Sequence, residues 1–379
     1  MRKKILFRVS SMEMREEQKV LLNIIDLLDR KKFEPIILLD LHQGELLKYI
    51  PLDIQVSNIV KGKQDLSPFS ILKIFQLVKR HIILIAYQLS PKLLKNKIGI
   101  TPDIEIAMTH FSLSGLVNSP FQHSKKINWF HSDIRFFPLS VGKRILSMMK
   151  RCDLTVFTSN MTKINFENHL GKTTVSNSMC IYNTVNTQKI RKQSLEAIEE
   201  KDNIVMSGKN TFLSIGQLVY QKGYDLLLQA HVELIKEGVN HHIVIIGDGY
   251  GYSTLKKKIK LLGVQNSFFL LGNRANPYPY MVRAPYYIQP SRYESLSSFV
   301  REAMIFNKPV ISTKCVGAQE LIPPNTGIIV DCSKHRIKKA IKTFLFDPTL
   351  VSRIKMKQKE IDFERENQFA FQQIESILK

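Results

Sequence analysis

Two carboxylates at a fixed spacing are the first residues that could do chemistry. Glu294 and Glu302 have seven residues between them, inside the stretch Ile288 to Pro323. That stretch reads strand, loop, helix, strand. Tyr286-Tyr287-Ile288 ends a short apolar strand and Pro290 to Ser295 is a polar loop. Phe299, Ala303 and Phe306 then recur at the i, i+4, i+7 spacing of one helix face. Ser297 and Ser298 are good N-cap types. Asn307-Lys308-Pro309 stops the helix and Val310 to Thr313 resumes a strand. A loop-to-helix junction presents backbone N–H groups and the positive end of a helix dipole, which together make an anion site. A carboxylate one to two turns further on can accept hydrogen bonds from paired sugar hydroxyls. Phosphate at the helix start and hydroxyls on the carboxylates are the two things a nucleotide sugar needs.

The elements that would position these groups alternate along the chain. Ile5 to Val9, Pro35 to Leu39, Ile54 to Val60, Ile104 to Met108, Ile127 to Phe130 and Leu154 to Thr158 read as buried strands. The run of Val20, Leu21, Ile24, Ile25 and Leu28 marks one face of a helix. A second series of strands starts at Phe212, His242, Phe268, Tyr286, Val310 and Gly327. Strand–helix alternation predicts an α/β fold with parallel sheets. In doubly wound sheets, ligand-binding residues lie just past the carboxyl ends of strands. His110 and His131 both follow strands, and each is either a ligand contact or a structural histidine. Thr187 to Asn210 is polar and charged and reads as a connection between two domains, and Asn276 to Pro279 as a short stiff link.

With 379 residues there is room for two domains. Hydrophobic content of 44% and charged content of 23% belong to an ordinary globular chain rather than a disordered one. The four cysteines are scattered without a C-x-x-C pair, which argues against a disulfide framework or a zinc site and fits a reducing cytoplasm. No D-x-D pair suggests a metal. The basic N-terminus is followed by too short an apolar run for a signal peptide, and no charge-free stretch is long enough for a membrane span. The net charge of +22 leaves three readings: nucleic acid, an anionic membrane surface, or plain solubilising charge. No basic run interleaved with aromatics favours nucleic acid. A membrane surface would reward each well-placed Lys or Arg by roughly 1 kcal/mol. Ser67 to Lys97 mixes apolar residues with Lys and Arg, reads as helix up to Pro91, and suits either an interfacial helix or a buried helix with a basic face.

Glu294-x7-Glu302, with Ala303-Met304, Lys308-Pro309-Val310-Ile311, Gly317 and Glu320-Leu321-Ile322, resembles the donor-site signature of the family 4 retaining glycosyltransferases. The resemblance implies the GT-B fold, two Rossmann-like doubly wound domains facing across a cleft. It implies an N-terminal acceptor domain over 1–186, a connection over 187–210, a nucleotide-sugar donor domain over 211–361, and a terminal helix over 362–379 packing back on the first domain. It also assigns roles. Lys222 matches the lysine that neutralises the donor diphosphate, in Gly216-Gln217-Leu218…Lys222-Gly223. Glu294 would position the donor sugar, and Glu302 would hold the ribose hydroxyls. The backbone at Leu296, Ser297 and Ser298 would meet phosphate, and Asn273 and Arg274 the nucleobase. His131, in Trp129-Phe130-His131-Ser132-Asp133, would contact the sugar.

Three departures stand out: Gln217 for the usual arginine, Ser295 for glycine, and a turn from Ser10 to Glu16 that lacks glycine. The implied activity is transfer of a sugar, without a metal or other cofactor, from a nucleotide diphosphate, with uridine diphosphate expected. The implied acceptor is a lipid-linked glycan of the bacterial surface (capsule, exopolysaccharide or lipopolysaccharide), handled at the cytoplasmic face of the inner membrane. The anionic membrane surface is then a partner and nucleic acid is not. A sugar-nucleotide 2-epimerase on the same fold, and a non-catalytic GT-B scaffold that binds a membrane or partner, are the alternatives.

Overall fold

A computed structural model describes residues 2–13, 15–62, 70–208 and 210–379. The chain divides into two compact units, Met1–Thr184 with Gln368–Lys379, and Val185–Asn367.

The first unit is built on seven parallel strands: β1 (Lys3–Val9), β2 (Phe33–His42), β3 (Gln55–Lys61), β4 (Ile104–Ala107), β5 (Lys125–Phe130), β6 (Leu154–Phe157) and β7 (Ser178–Cys180). Their order is β3-β2-β1-β4-β5-β6-β7. Ile5, Leu6 and Phe7 are all fully buried, as expected of a central strand covered by helices on both faces. The helix Glu16–Leu27 follows β1. It carries Glu16 and Glu17 in its first turn, where the dipole favours negative charge, and buries Val20, Leu21, Ile24 and Ile25. The order reverses between β1 and β4, so the carboxyl ends of those strands flank the crevice of this unit.

The second unit holds β8 (Thr211–Ile215), β9 (His242–Ile246), β10 (Phe268–Gly272), β11 (Tyr286–Gln289), β12 (Val310–Thr313) and β13 (Ile328–Val330). These are also parallel, in the order β10-β9-β8-β11-β12-β13. Here the reversal falls between β8 and β11. Tyr286 pairs with Phe212 and Tyr287 with Leu213, so the loops after Ile215 and Gln289 leave the sheet side by side.

Two segments differ from what local pattern suggests. The polar stretch after residue 186 holds two short helices, Thr187–Gln193 and Glu200–Met206, and clusters with the second unit. The Asn186 side chain caps the first by accepting from Lys189 N. The stretch read as a stiff link starts the helix Tyr278–Arg283. The Asn276 side chain accepts from Tyr278 N at 3.1 Å, and a first helical turn tolerates proline. The last helix, Phe363–Ile377, begins in the second unit and ends in the first, where Ala370, Ile374, Ile377 and Leu378 join the core around β1. Of the basic apolar segment, residues 67–69 lie outside the described residues, as does Met14 of the turn after β1. The rest of the segment forms the helices Ser70–Leu89 and Pro91–Ile98.

A histidine relay is buried in the second unit. A carbonyl can only accept, so His241 Nδ1–H donates to Val239 O at 3.0 Å. With both rings neutral, His241 Nε2 accepts from His231 Nδ1–H at 2.9 Å, and His231 Nε2 from the Ser267 hydroxyl at 2.9 Å. The chain is fully satisfied in this state. Burial, reinforced by the neighbouring His241 and His242, pushes His231 down to about 3, and burial also lowers His241. Unfolded histidine titrates near 6.5. Between these values the unfolded chain binds more protons, so folding stability is full above about pH 6.5 and falls as the pH drops toward 3. Urea midpoints should therefore be lower at pH 5 than at pH 7.5, and His231→Asn should flatten that difference. Equal pH slopes in the two proteins would show that the relay does not titrate on unfolding.

Candidate functional site

The loops that leave β8 and β11 are fastened together. Gly223 has φ +67°, and a Cβ there would lie 2.0 Å from Pro290 O, so only glycine fits. Arg292 reaches back across this contact. Its two terminal nitrogens each hold an Asp225 oxygen at 2.7 Å, and its backbone N–H donates to Gln221 O at 2.7 Å. Gln221 Nε2 returns a bond to Tyr293 O at 3.0 Å. A bidentate guanidinium–carboxylate pair is geometrically exacting, so it fixes the spacing of the two loops.

That clamp presents Lys222 and Glu294 to each other. Lys222 Nζ forms an ion pair with Glu294 Oε2, with the two side chains only 15% and 12% exposed. Gln289 Nε2 and Ser291 Oγ lie at 3.4 Å from the same carboxylate oxygen. The pair keeps this largely buried spot neutral. An arriving anion would find an ammonium already oriented but engaged.

The helix Ser298–Ile305 begins four residues past Glu294. Ser297 is its N-cap residue and makes no side-chain capping bond. Leu296, Ser297, Ser298 and Glu302 are all buried. Glu302 lies one turn in, on a helix whose residues are buried throughout its length. Gly317 fits tightly under this junction, since a Cβ there would approach Ser295 O to 2.1 Å. Gly216, at the mouth of β8, and half-buried Gln217 complete this end of the sheet.

Asn273 and Arg274 follow β10. Asn273 is exposed, whereas the Arg274 guanidinium turns inward. Its Nε donates to Asp202 Oδ2 at 2.8 Å and lies 3.0 Å from Tyr280 Oη, and Nη2 is 2.8 Å from the same Asp202 oxygen. Nη1 donates to the carbonyls of Leu271 and Asn273. Tyr280 O–H also donates to Asp202, at 2.7 Å. Arg274 therefore shapes its own loop, and a ligand there would meet backbone and Asn273. Asp202 and Tyr280 escape sequence reading because nothing local distinguishes them. Asp202 lies in the segment read as a connection, far from the residue it holds.

In the first unit, His131 follows β5 and His110 follows β4. His131 is buried, its ring 6.4 Å from that of Trp129 and nearly parallel to it. Burial pushes it down to about 3. His110 Nδ1 is 3.0 Å from Ser132 Oγ, and burial, helped by the charge of Arg15, lowers it to about 4. Both are neutral imidazoles near pH 7, suited to hydrogen bonds with hydroxyls. The turn after β1 is anchored where a glycine turn would be free. Met12 is fully buried in the core, its N–H donates to Gln43 O, and Gln18 Nε2 donates to Ser11 O at 3.0 Å. Among the described residues no group of three or more His, Cys, Asp or Glu is placed to hold a metal ion.

Two parallel α/β units, each with a reversal of strand order, define the GT-B fold. The chain superposes on the crystal structure of Anabaena HepE in complex with UDP and glucose with a TM-score of 0.74 at 18% identity, covering 99% of this chain and 100% of that one. Residues 196–361 match the family described as glycosyl transferases group 1. An uncharacterised glycosyltransferase of Methanocaldococcus jannaschii is 28% identical over 47% of this chain and 44% of its own length. A Campylobacter jejuni enzyme, the N-acetylgalactosamine-N,N'-diacetylbacillosaminyl-diphospho-undecaprenol 4-alpha-N-acetylgalactosaminyltransferase, is 28% identical over 58% of each chain. The chain thus spans about half the length of the curated relatives it matches. Over residues 196–361 the chain is similar to the group 1 glycosyl transferases, and it shares its fold with the Anabaena structure.

Removing one partner of a buried, hydrogen-bonded ion pair costs about 3–5 kcal/mol, less where the other partner is part-exposed. Asp202→Ala should therefore lower the unfolding free energy of the second unit by about 2 kcal/mol or more and loosen residues 271–274. Hydrogen exchange at those amides is the direct measure. Unchanged exchange would mean that Arg274 holds the loop without Asp202.

Proposed function

We propose that the protein is a retaining glycosyltransferase that moves a sugar from a nucleoside diphosphate, UDP first among them, to a hydroxyl of a lipid-linked surface glycan. The observation that carries this reading is the Lys222–Glu294 ion pair at the β8/β11 reversal, with buried Glu302 one turn into the adjoining helix.

In this reading the donor diphosphate takes Lys222 from Glu294 and lies against the helix start at Leu296, Ser297 and Ser298. The released Glu294 then holds hydroxyls of the donor sugar, Glu302 holds those of the ribose, and residues 272–274 frame the base. The bond from the anomeric carbon to the diphosphate oxygen breaks, and the acceptor oxygen bonds to the same face of that carbon. The departing phosphate oxygen takes the acceptor's proton, so no separate general base is called on. Negative charge grows on the diphosphate, and an ammonium and helix dipole fixed in advance stabilise it, commonly the largest catalytic term. These groups do the neutralising without a metal ion, and a chelator should leave the rate unchanged. Neutral His131 donates or accepts a hydrogen bond at the sugar. The lipid-linked acceptor, and with it work at the cytoplasmic membrane surface, draws support from the Campylobacter relative, whose name specifies a diphospho-undecaprenol-linked sugar.

Gln217 and Ser295, in place of the arginine and glycine of the family pattern, favour a second reading, a scaffold that no longer transfers sugar. Thermal unfolding with UDP, GDP, ADP and CMP separates the two. A ligand at 100 times its dissociation constant should stabilise the fold by about 2.7 kcal/mol. UDP should do so in the parent protein and much less in Glu302→Ala. Response to none of the four would favour the scaffold. Lys222→Ala should slow transfer more than it weakens binding. Gln217→Arg, which adds a charged hydrogen-bond donor worth about 1.5–3 kcal/mol, should tighten UDP binding about tenfold or more. If both variants behave like the parent, the diphosphate does not sit at this loop.

A further inference from the structure

Between Asp65 and Asp103 the sequence has no acidic residue, while it carries Lys73, Lys79, Arg80, Lys92, Lys95 and Lys97. Most of this span forms the helices Ser70–Leu89 and Pro91–Ile98. Their inner sides are accounted for. Tyr87 packs with Leu94 and Ile98 against Leu6, Ile36 and Leu38, and Arg80 donates to Gly62 O. The outer side of the first helix is different. Ile74, Phe75, Val78, Ile82 and Ile85 follow one another at helical spacing and are exposed, Phe75 by 73% and Ile74 by 61%. Lys79 is exposed at one edge of the stripe, His81 at the other, and Lys95 and Lys97 on the next helix. A stripe of this size facing water is uncommon on a soluble monomer.

We propose that this outer face is a docking surface for an anionic lipid bilayer. Ile74, Phe75, Val78, Ile82 and Ile85 would insert at headgroup depth, and the lysines beside them would meet lipid phosphates. Charge complementarity selects this occupant. Covering the stripe with a second copy would bring lysine against lysine with no carboxylate in the segment to offset them. An anionic bilayer takes up both the apolar stripe and the basic rim. Among the described residues no helix is long and apolar enough to cross a membrane, so the helix lies in the interface plane. The surface adds to the lipid-linked acceptor reading the place where the bilayer would sit. It rests on that reading only for its purpose, since its geometry does not involve the donor site.

The test is co-sedimentation of the full chain with vesicles of phosphatidylcholine, with and without phosphatidylglycerol, alongside UDP-dependent thermal stabilisation. The parent protein should sediment with the anionic vesicles and less so as salt rises. The double variant Phe75→Glu, Ile82→Glu should bind them about tenfold or more weakly while keeping any UDP stabilisation of the parent. Lys79→Glu with Lys95→Glu should remove the preference for anionic lipid. Failure of the parent to sediment, or equal sedimentation of the double variant, would overturn the proposal. So would lipid-free dimerisation of the parent that the double variant lacks, because the stripe would then be covered by a second copy. Vesicle binding without nucleotide stabilisation would count against the transferase reading alone.

Discussion

The reversal of strand order in the second sheet puts two loops next to each other, and an ammonium and a carboxylate meet there. Everything nearby serves to hold Lys222 and Glu294 in register. Taking two charges out of water is costly, and their attraction repays the cost only when geometry is good and other hydrogen bonds are in place. The Arg292–Asp225 fork, the close contact at Gly223 and the donors Gln289 and Ser291 supply that geometry. The first sheet uses the same location for another purpose. At its reversal Arg8 of β1 pairs with Glu105 of β4, at 2.9 Å from Nε and 2.6 Å from Nη2, and Ser119 and Ser124 also donate to that carboxylate. That pair is sealed in the interior and has no room to exchange partners, so it welds two strands. The Lys222–Glu294 pair joins two loops instead of two strands, and on the proposed reading it exchanges partners.

The strands were legible because parallel sheets covered on both faces need continuous apolar runs. Ile5 to Val9, His242 to Ile246 and Val310 to Thr313 declare themselves this way. Helices with one long apolar face were legible for a similar reason. The helix Asn160–His169 was not, since it is weakly patterned and owes its form to what it packs on. The region after residue 186 misled through composition. Its polar residues cap and exposes faces of helices instead of marking a loose connection, and Asp202 among them is almost fully buried.

The candidate site was legible as a set of residues but not as a set of partners. The motif around Glu294 and Glu302 names carboxylates at a helix start, and the Lys222-Gly223 pair names a cation. That Lys222 rests on Glu294 depends on which strands are neighbours, and so does the turning of Arg274 toward Asp202. Both pairings join residues far apart in sequence, which periodicity cannot reach. The segment after residue 70 shows the converse. Its pattern is apolar on more than one side, and only the position of β2 and β3 decides which side is core and which faces out.

The departures from the family pattern gain a physical meaning from the same pair. With glutamine at 217, a diphosphate at this loop would depend on one side-chain cation instead of two. That cation is already neutralised, so an anion must compete with Glu294 for it. Competition of this kind raises the threshold for weak anions such as inorganic phosphate, which offer charge alone. It favours a ligand that compensates Glu294 with hydroxyl groups once the lysine has left it. On the proposed reading a nucleotide sugar does this within one molecule, since its diphosphate engages Lys222 while its sugar returns hydrogen bonds to the carboxylate. Exchange of a single ion pair would then couple recognition of the charged and uncharged halves of the donor, and a clamp that fixes the two loops makes that coupling strong.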